Sequence, residues 1–210
     1  MSWRGVEPCV LQKELHVISG GKHTWSEIAK IAAQIHPYVT AIHIREKTKS
    51  LDEVFIGVQY LLEQGVPAKR LYVNGFPSIA LALQTGGLQL PGSTPSLVIQ
   101  DEFCRGIQRV GVSVHQADEA MWREKEGADY LMFGHIFATN SKQGVPPRGL
   151  EQLRQLVHHV NIPVIAIGGM TPARVKSVLD AGASGIAVMS GIWEAADPLR
   201  AVLAYHDELQ

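Results

Sequence analysis

Two glycine-bearing stretches give the first chemical signal. Gly168-Gly169 follows the apolar run Pro163-Val164-Ile165-Ala166-Ile167, and Ser190-Gly191 follows Gly185-Ile186-Ala187-Val188-Met189. Positions without a Cβ let peptide N–H groups come close to an anion. Gly168, Gly169, Met189 and Ser190 therefore read as a phosphate cradle; the plain alternative is that these glycines only serve tight turns. His115 ends a further apolar pattern, Arg109 to His115. An imidazole both accepts and donates a proton near neutral pH, so His115 is the candidate acid/base, against a capping or supporting role. His135 competes with it, as a substrate-lining group or second proton carrier. Arg45 suits a carboxylate, which a guanidinium grips with two hydrogen bonds, or else an ion pair with Glu46. The polar segment Ser141-Lys142-Gln143-Gly144-Val145-Pro146-Pro147 is either a lid or a connector. His16 and His43 lie on strands with alternating neighbours and face either the helices or the mouth at the strand ends.

Elements that would position these residues alternate along the chain. Strand patterns occupy Glu14 to Ser19, Ala41 to Glu46, Arg70 to Gly75, Leu88 to Leu90, Arg109 to His115, Asp129 to Phe133, Pro163 to Ile167 and Gly185 to Met189. Between them the spacing predicts helices over Trp25–Ile35, Leu51–Glu63 capped by Ser50, Ser78–Leu83, Ser96–Phe103, Ala117–Glu126, Leu150–Val160 and Ala173–Asp180. Thr171 is the expected cap of the last of these, and Trp193 to Leu209 the closing helix. Alternating strands and helices imply a parallel sheet. Eight such units in 210 residues favour a single-domain (β/α)8 TIM barrel over residues 1–210. Its function belongs on the loops after the strands' C-terminal ends. Those ends carry Ser19, Arg45, Glu46, Lys47, Asn74, Gln89, Ser113, His115, His135, Gly168, Gly169 and Ser190.

Composition narrows the partners. A net charge of −1, from 19 basic and 20 acidic residues, offers no basic excess for nucleic acid or an anionic membrane. The nine histidines are scattered and form no zinc motif. Cys9 and Cys104 have neither metal nor redox spacing. No apolar run is long enough to span a bilayer, and the first twenty residues lack a signal-peptide core. A cytoplasmic protein is expected.

The motifs Gly111-Val112-Ser113-Val114-His115, Phe133-Gly134-His135-Ile136-Phe137-Ala138-Thr139, Ala166-Ile167-Gly168-Gly169-Met170 and Gly185-Ile186-Ala187-Val188-Met189-Ser190 resemble the thiamin phosphate synthase superfamily. The resemblance runs in order from about Glu14 to Trp193. Its synthase branch joins a pyrimidine pyrophosphate to a thiazole phosphate with Mg²⁺, held by an Asp ending the third strand and another in the fourth-strand loop. Here those places hold Asn74-Gly75 and Pro91-Gly92-Ser93-Thr94. The versions found here are similar to the TenI-like thiazole tautomerases. These isomerise a 5-ylidene thiazole carboxylate phosphate to its aromatic tautomer, with neither metal nor cofactor. The resemblance implies His115 as the catalytic acid/base. It places Ser113, His135, Thr139, Ser141, Lys142 and Arg45 around the substrate. Thiamin phosphate synthase, or a non-catalytic sensor of a thiazole or thiamin phosphate, are the alternatives. A homodimer is the expected assembly, as twofold pairs are the commonest.

Overall fold

The computed structural model describes residues 13–100, 104 and 106–210; Cys9 lies outside them. Eight parallel strands, β1 (Glu14–Ile18), β2 (Ala41–Ile44), β3 (Leu71–Asn74), β4 (Gly87–Leu90), β5 (Val110–Val114), β6 (Tyr130–Gly134), β7 (Val164–Ile167) and β8 (Gly185–Val188), close into a barrel in sequence order. Helices α1 (Trp25–Ile35), α2 (Leu51–Glu63), α3 (Pro77–Ala82), α4 (Ser96–Gln100), α5 (Ala117–Lys125), α6 (Gly149–His158), α7 (Pro172–Asp180), α8 (Ser190–Trp193) and α9 (Pro198–Asp207) alternate with them. The chain is a (β/α)8 barrel.

Local sequence starts these helices. Thr24 and Ser50 cap α1 and α2, each in a reciprocal pair with a glutamate three residues on, Glu27 and Glu53; such boxes satisfy two otherwise orphaned N–H groups. Helix α1 then buries Ile28, Ala29, Ala32 and Ile35, a spacing that faces one side of a helix.

The strands' period of two sorts side chains into two cores. Val17, Ile42, Val73, Leu88, Val112, Leu131, Ala166 and Ile186 point outward into the main core under the helices. Ile18, Ala41, Tyr72, Tyr130, Met132, Ile165 and Ala187 form a separate cluster inside the barrel. Tyr130 fits there because Gly111, its partner across the β5–β6 ladder, has no side chain; a Cβ at Gly111 would enter the tyrosine ring.

The end of the chain differs from expectation. The predicted helix Trp193 to Leu209 is shorter: α8 ends at Trp193, and α9 begins only where Asp197 caps a new start and Pro198 takes the first position. Pro198 has no N–H to continue a preceding helix, but is well placed to begin one. Thr171 stands at the cap position of α7 with extended backbone, yet its side chain makes no capping bond. Of the predicted helix Ser96–Phe103, residues 101–103 lie outside the described set.

Candidate functional site

At the strands' C-terminal ends the barrel opens into a polar mouth with two joined lobes. The lobe over β5 to β8 has a volume of about 600 Å³, and the lobe over β2 to β5 about 820 Å³. Arg45, Lys47, Asn74, Gln89, Ser113, His115 and Lys142 line both. The mouth therefore gathers every residue proposed from sequence: His115, Arg45, Ser113, His135, Thr139, Ser141, Lys142, Gly168, Gly169, Met189 and Ser190 all line the first lobe.

His115 follows β5 directly and is exposed. Its backbone N–H donates to Glu119 Oε2 at 2.7 Å, which holds the strand end against the first turn of α5. Its ring Nδ1 lies 3.3 Å from the Gly134 carbonyl. A carbonyl only accepts, so Nδ1 carries the proton and the Nε2 lone pair is left for the mouth. Ser113, two residues earlier on the same face, accepts from Gln89 Nε2 at 3.1 Å.

His135 lines the cleft and is also tied into the loop beside it. It is buried, and its Nε2 donates to the Val145 carbonyl at 3.2 Å. Its own carbonyl accepts from Arg148 N–H at 2.9 Å. The two bonds fasten Val145 and Arg148, in and just after the 141–147 segment, to the end of β6. Within that segment Asn140–Lys142 forms a single 3₁₀ turn started by Thr139, whose Oγ1 accepts from Ser141 N–H. Ser141 and Lys142 are exposed at the mouth.

The glycine pair is dictated by packing as well as by any ligand. Gly168 and Gly169 have φ of +102° and +64°, a region that L side chains avoid. A Cβ on Gly168 would strike His135, and one on Gly169 would lie 2.6 Å from the Ala138 carbonyl oxygen. The tight-turn alternative thus explains why no side chain is tolerated, and both glycines line the cleft. Among the described residues, no backbone partner takes the N–H of Gly169, Ser190 or Gly191. Met189 packs its side chain on the inner cluster below.

Arg45 is half-buried, and burial pulls its pKa below the ordinary value while Glu46 pulls it back. The alternative pair with Glu46 does not form. Glu46 instead accepts from Ser19 Oγ at 2.7 Å and from Lys49 Nζ at 3.1 Å. No ion pair or hydrogen bond holds the Arg45 guanidinium among the described residues. The guanidinium lines both lobes of the mouth.

His16 and His43 face neither the helices nor the mouth. Both point into the barrel below it, fully buried, and hydrogen-bond to each other at 2.9 Å. Glu119, which lines the larger lobe, was not foreseen. Its position at the third residue of α5 is the one clue, since an acidic residue there often reaches back to the strand end.

A family model described as thiamine monophosphate synthase matches residues 15–192. The chain belongs to that family. It is 38% identical over 177 residues to a thiamine-phosphate synthase of Chloroflexus aurantiacus, covering 82% of this chain and 80% of that one. It is 34% identical over 183 residues to one of Pyrococcus abyssi, covering 83% and 84%. A solved structure of a thiamine phosphate pyrophosphorylase from Pyrococcus furiosus superposes with a TM-score of 0.78 at 30% identity, over 94% of this chain and 96% of that one. Membership of the thiamine monophosphate synthase family makes this chain one of a group of thiamine-biosynthetic enzymes. No helix among the described residues is long and apolar enough to cross a membrane.

Proposed function

We propose that the protein is a thiazole tautomerase, an isomerase that converts the 5-ylidene thiazole carboxylate phosphate to its aromatic tautomer. The observation that carries this reading is the tautomer of His115, whose Nδ1 is taken by the Gly134 carbonyl, in a mouth also lined by the Arg45 guanidinium and by Gly168 and Gly169. In the proposed reaction Nε2 takes the proton from ring C2 and returns one to the exocyclic carbon. No atom is gained or lost, and aromatisation drives the change. The Nδ1–H bond to Gly134 keeps the base in the right tautomer and supports the imidazolium that forms. The substrate phosphate would sit on the N–H groups of Gly169, Ser190 and Gly191, and its carboxylate against Arg45. Thr139, Ser141 and Lys142 would close the side of the pocket.

A second reading is favoured by the relatives' names, which are those of the synthase. That reaction calls for Mg²⁺ beside a pyrophosphate, normally held by one or two carboxylates. The side chains here do not fit such an ion. Strand β3 ends in Asn74, Gly75 follows, and Pro91, Gly92 and Ser93 complete that wall. The carboxylates lining the lobe are Glu46 and Glu119. Glu46 is buried with both oxygens already accepting, and Glu119 Oε2 holds the His115 N–H. Among the described residues no group of three or more His, Cys, Asp or Glu side chains gathers as a metal site.

One assay separates the readings. The protein, in EDTA, is given the 5-ylidene thiazole carboxylate phosphate, and the ultraviolet rise of the aromatic product is followed. Acceleration over the uncatalysed rate supports the tautomerase. No acceleration there, with thiamin phosphate formed from the pyrimidine pyrophosphate, thiazole phosphate and Mg²⁺, would replace it with the synthase. Silence in both mixtures, with thiazole phosphate bound, would leave the sensor.

A further inference from the structure

A chain of polar side chains runs up the inside of the barrel from its floor to its mouth. At the floor Arg109 donates twice to Glu14, at 2.6 and 2.9 Å. His16 Nε2 lies 2.9 Å from Glu14 Oε2, His16 Nδ1 lies 2.9 Å from His43 Nε2, and His43 Nδ1 lies 3.1 Å from the end of the Asn74 side chain. The rings of Tyr72 and Tyr130 pack around the two imidazoles, and the Arg109 guanidinium stacks on Tyr130. Asn74 is the first member of the chain to reach the ligand cleft.

The direction of every hydrogen bond in this chain follows from its lowest member. Burial alone would raise the Glu14 carboxyl, but the bonds from His16 and Arg109 outweigh it and hold its pKa at about 2. Glu14 is therefore a carboxylate and only accepts, so His16 carries its proton on Nε2. Burial lowers the pKa of His16, with Glu14 pulling back in part, and lowers that of His43 further, with His16 adding to the effect. Both rings are neutral at pH 7. A neutral His16 with Nε2–H has a lone pair at Nδ1, which accepts from His43 Nε2–H. That leaves a lone pair at His43 Nδ1, which needs a donor.

The Asn74 amide has one end that donates and one that accepts, equal in shape, and the network decides which is which. With Oδ1 toward His43, two acceptors would be set against each other. We propose that Asn74 is a positioning residue for Arg45: it donates its amide N–H down to His43 and presents its carbonyl oxygen to the mouth, to hold the guanidinium that receives the substrate's anion. The ladder pairs Ile44 with Val73, so Arg45 and Asn74 follow side by side at the rim, and both line the two lobes. An amide N–H turned to the mouth would instead face the donors of Arg45. The reversed amide also has a second N–H, and β4 lies on the other side of β3. There its ladder partner Gln89 keeps a buried Oε1 that accepts from nothing among the described residues. The rotation satisfies the His43 lone pair and puts an acceptor beside Arg45. The inference rests on the reading above only in taking Arg45 as the anion receptor.

The test has two arms. The first needs no substrate: nitrogen-15 NMR of the full-length protein with labelled histidine, at pH 7, reports the protonated ring nitrogen of His16 and His43. The expected result is Nε2–H in both rings, assigned with His16→Gln and His43→Gln. A proton on His43 Nδ1, or a second proton on either ring, would overturn the proposed direction. In the second arm Asn74→Asp is compared with Asn74→Ser in the tautomerase assay. Aspartate only accepts, so it must draw a proton onto His43 Nδ1, which the same spectra would show. Asn74→Ser, which removes the carbonyl from Arg45, should raise KM about tenfold with kcat changed far less, the scale of one charge-assisted bond. An unchanged KM with a folded variant would remove Asn74 from the grip on Arg45. If the wild type turns over no thiazole substrate, the spectra still decide the direction of the chain.

Discussion

Replacing Glu14 by glutamine tests the floor of the barrel and gives a number. Glu14 and Arg109 are 13% and 22% exposed at their side chains, so solvent screens the pair only in part. A carboxyl held at about 2 instead of the ordinary 4.5 stabilises the folded protein by about 3 kcal/mol when ionised. Because the folded pKa is the lower one, that contribution is complete above pH 4.5. It falls away as the pH drops through the folded value of about 2. A glutamine side chain there could still accept from His16, but its NH₂ would face the Arg109 donors. Glu14→Gln should therefore cost about 3 kcal/mol at pH 7, and the gap to the wild type should shrink steadily below pH 4.5. Urea unfolding at a series of pH values measures both. Adding Arg109→Met should recover part of the loss, since an unpaired buried charge costs more than an absent one. A gap below about 1 kcal/mol at pH 7, or one that stays constant into acid, would refute the reasoning.

Two further substitutions address the mouth. His115→Ala should lower turnover by about 10² to 10⁴ while leaving stability within about 0.5 kcal/mol, because the ring is exposed; wild-type turnover would show that another group moves the proton. Gly169→Val should cost about 2 to 4 kcal/mol, from a β-branched residue at φ +64° and a Cβ pressed on the 137–138 backbone; an unchanged melting temperature would mean the loop yields.

Much of this molecule was legible in one dimension. Buried parallel strands are continuous apolar runs, and their C-terminal ends are where polar residues resume, so the strand order and the composition of the mouth could be read together. His115 and the Gly168-Gly169 pair stood out because both interrupt apolar runs. The details that failed were those set by a neighbour distant in sequence. His135 was open between lining the substrate and carrying a proton; it does line the cleft, and the Val145 carbonyl on its Nε2 is a contact the sequence did not show. Arg45 was offered Glu46 beside it, but both follow the end of β2, and the Glu46 oxygens were taken by Ser19 and Lys49.

The amino-acid sequence by itself determined the barrel, its eight repeats and the residues at its mouth, because hydrophobic period and helix caps are local properties. Only the tertiary structure decided which way those residues act. The lone pair of His115 is set by the carbonyl of Gly134, nineteen positions away. The tautomers of His16 and His43 are set by Glu14 and, through it, by Arg109, which is 95 positions from Glu14 along the chain. Hydrogen-bond direction is fixed by what lies across the barrel, and closing the sheet is what brings those partners within reach.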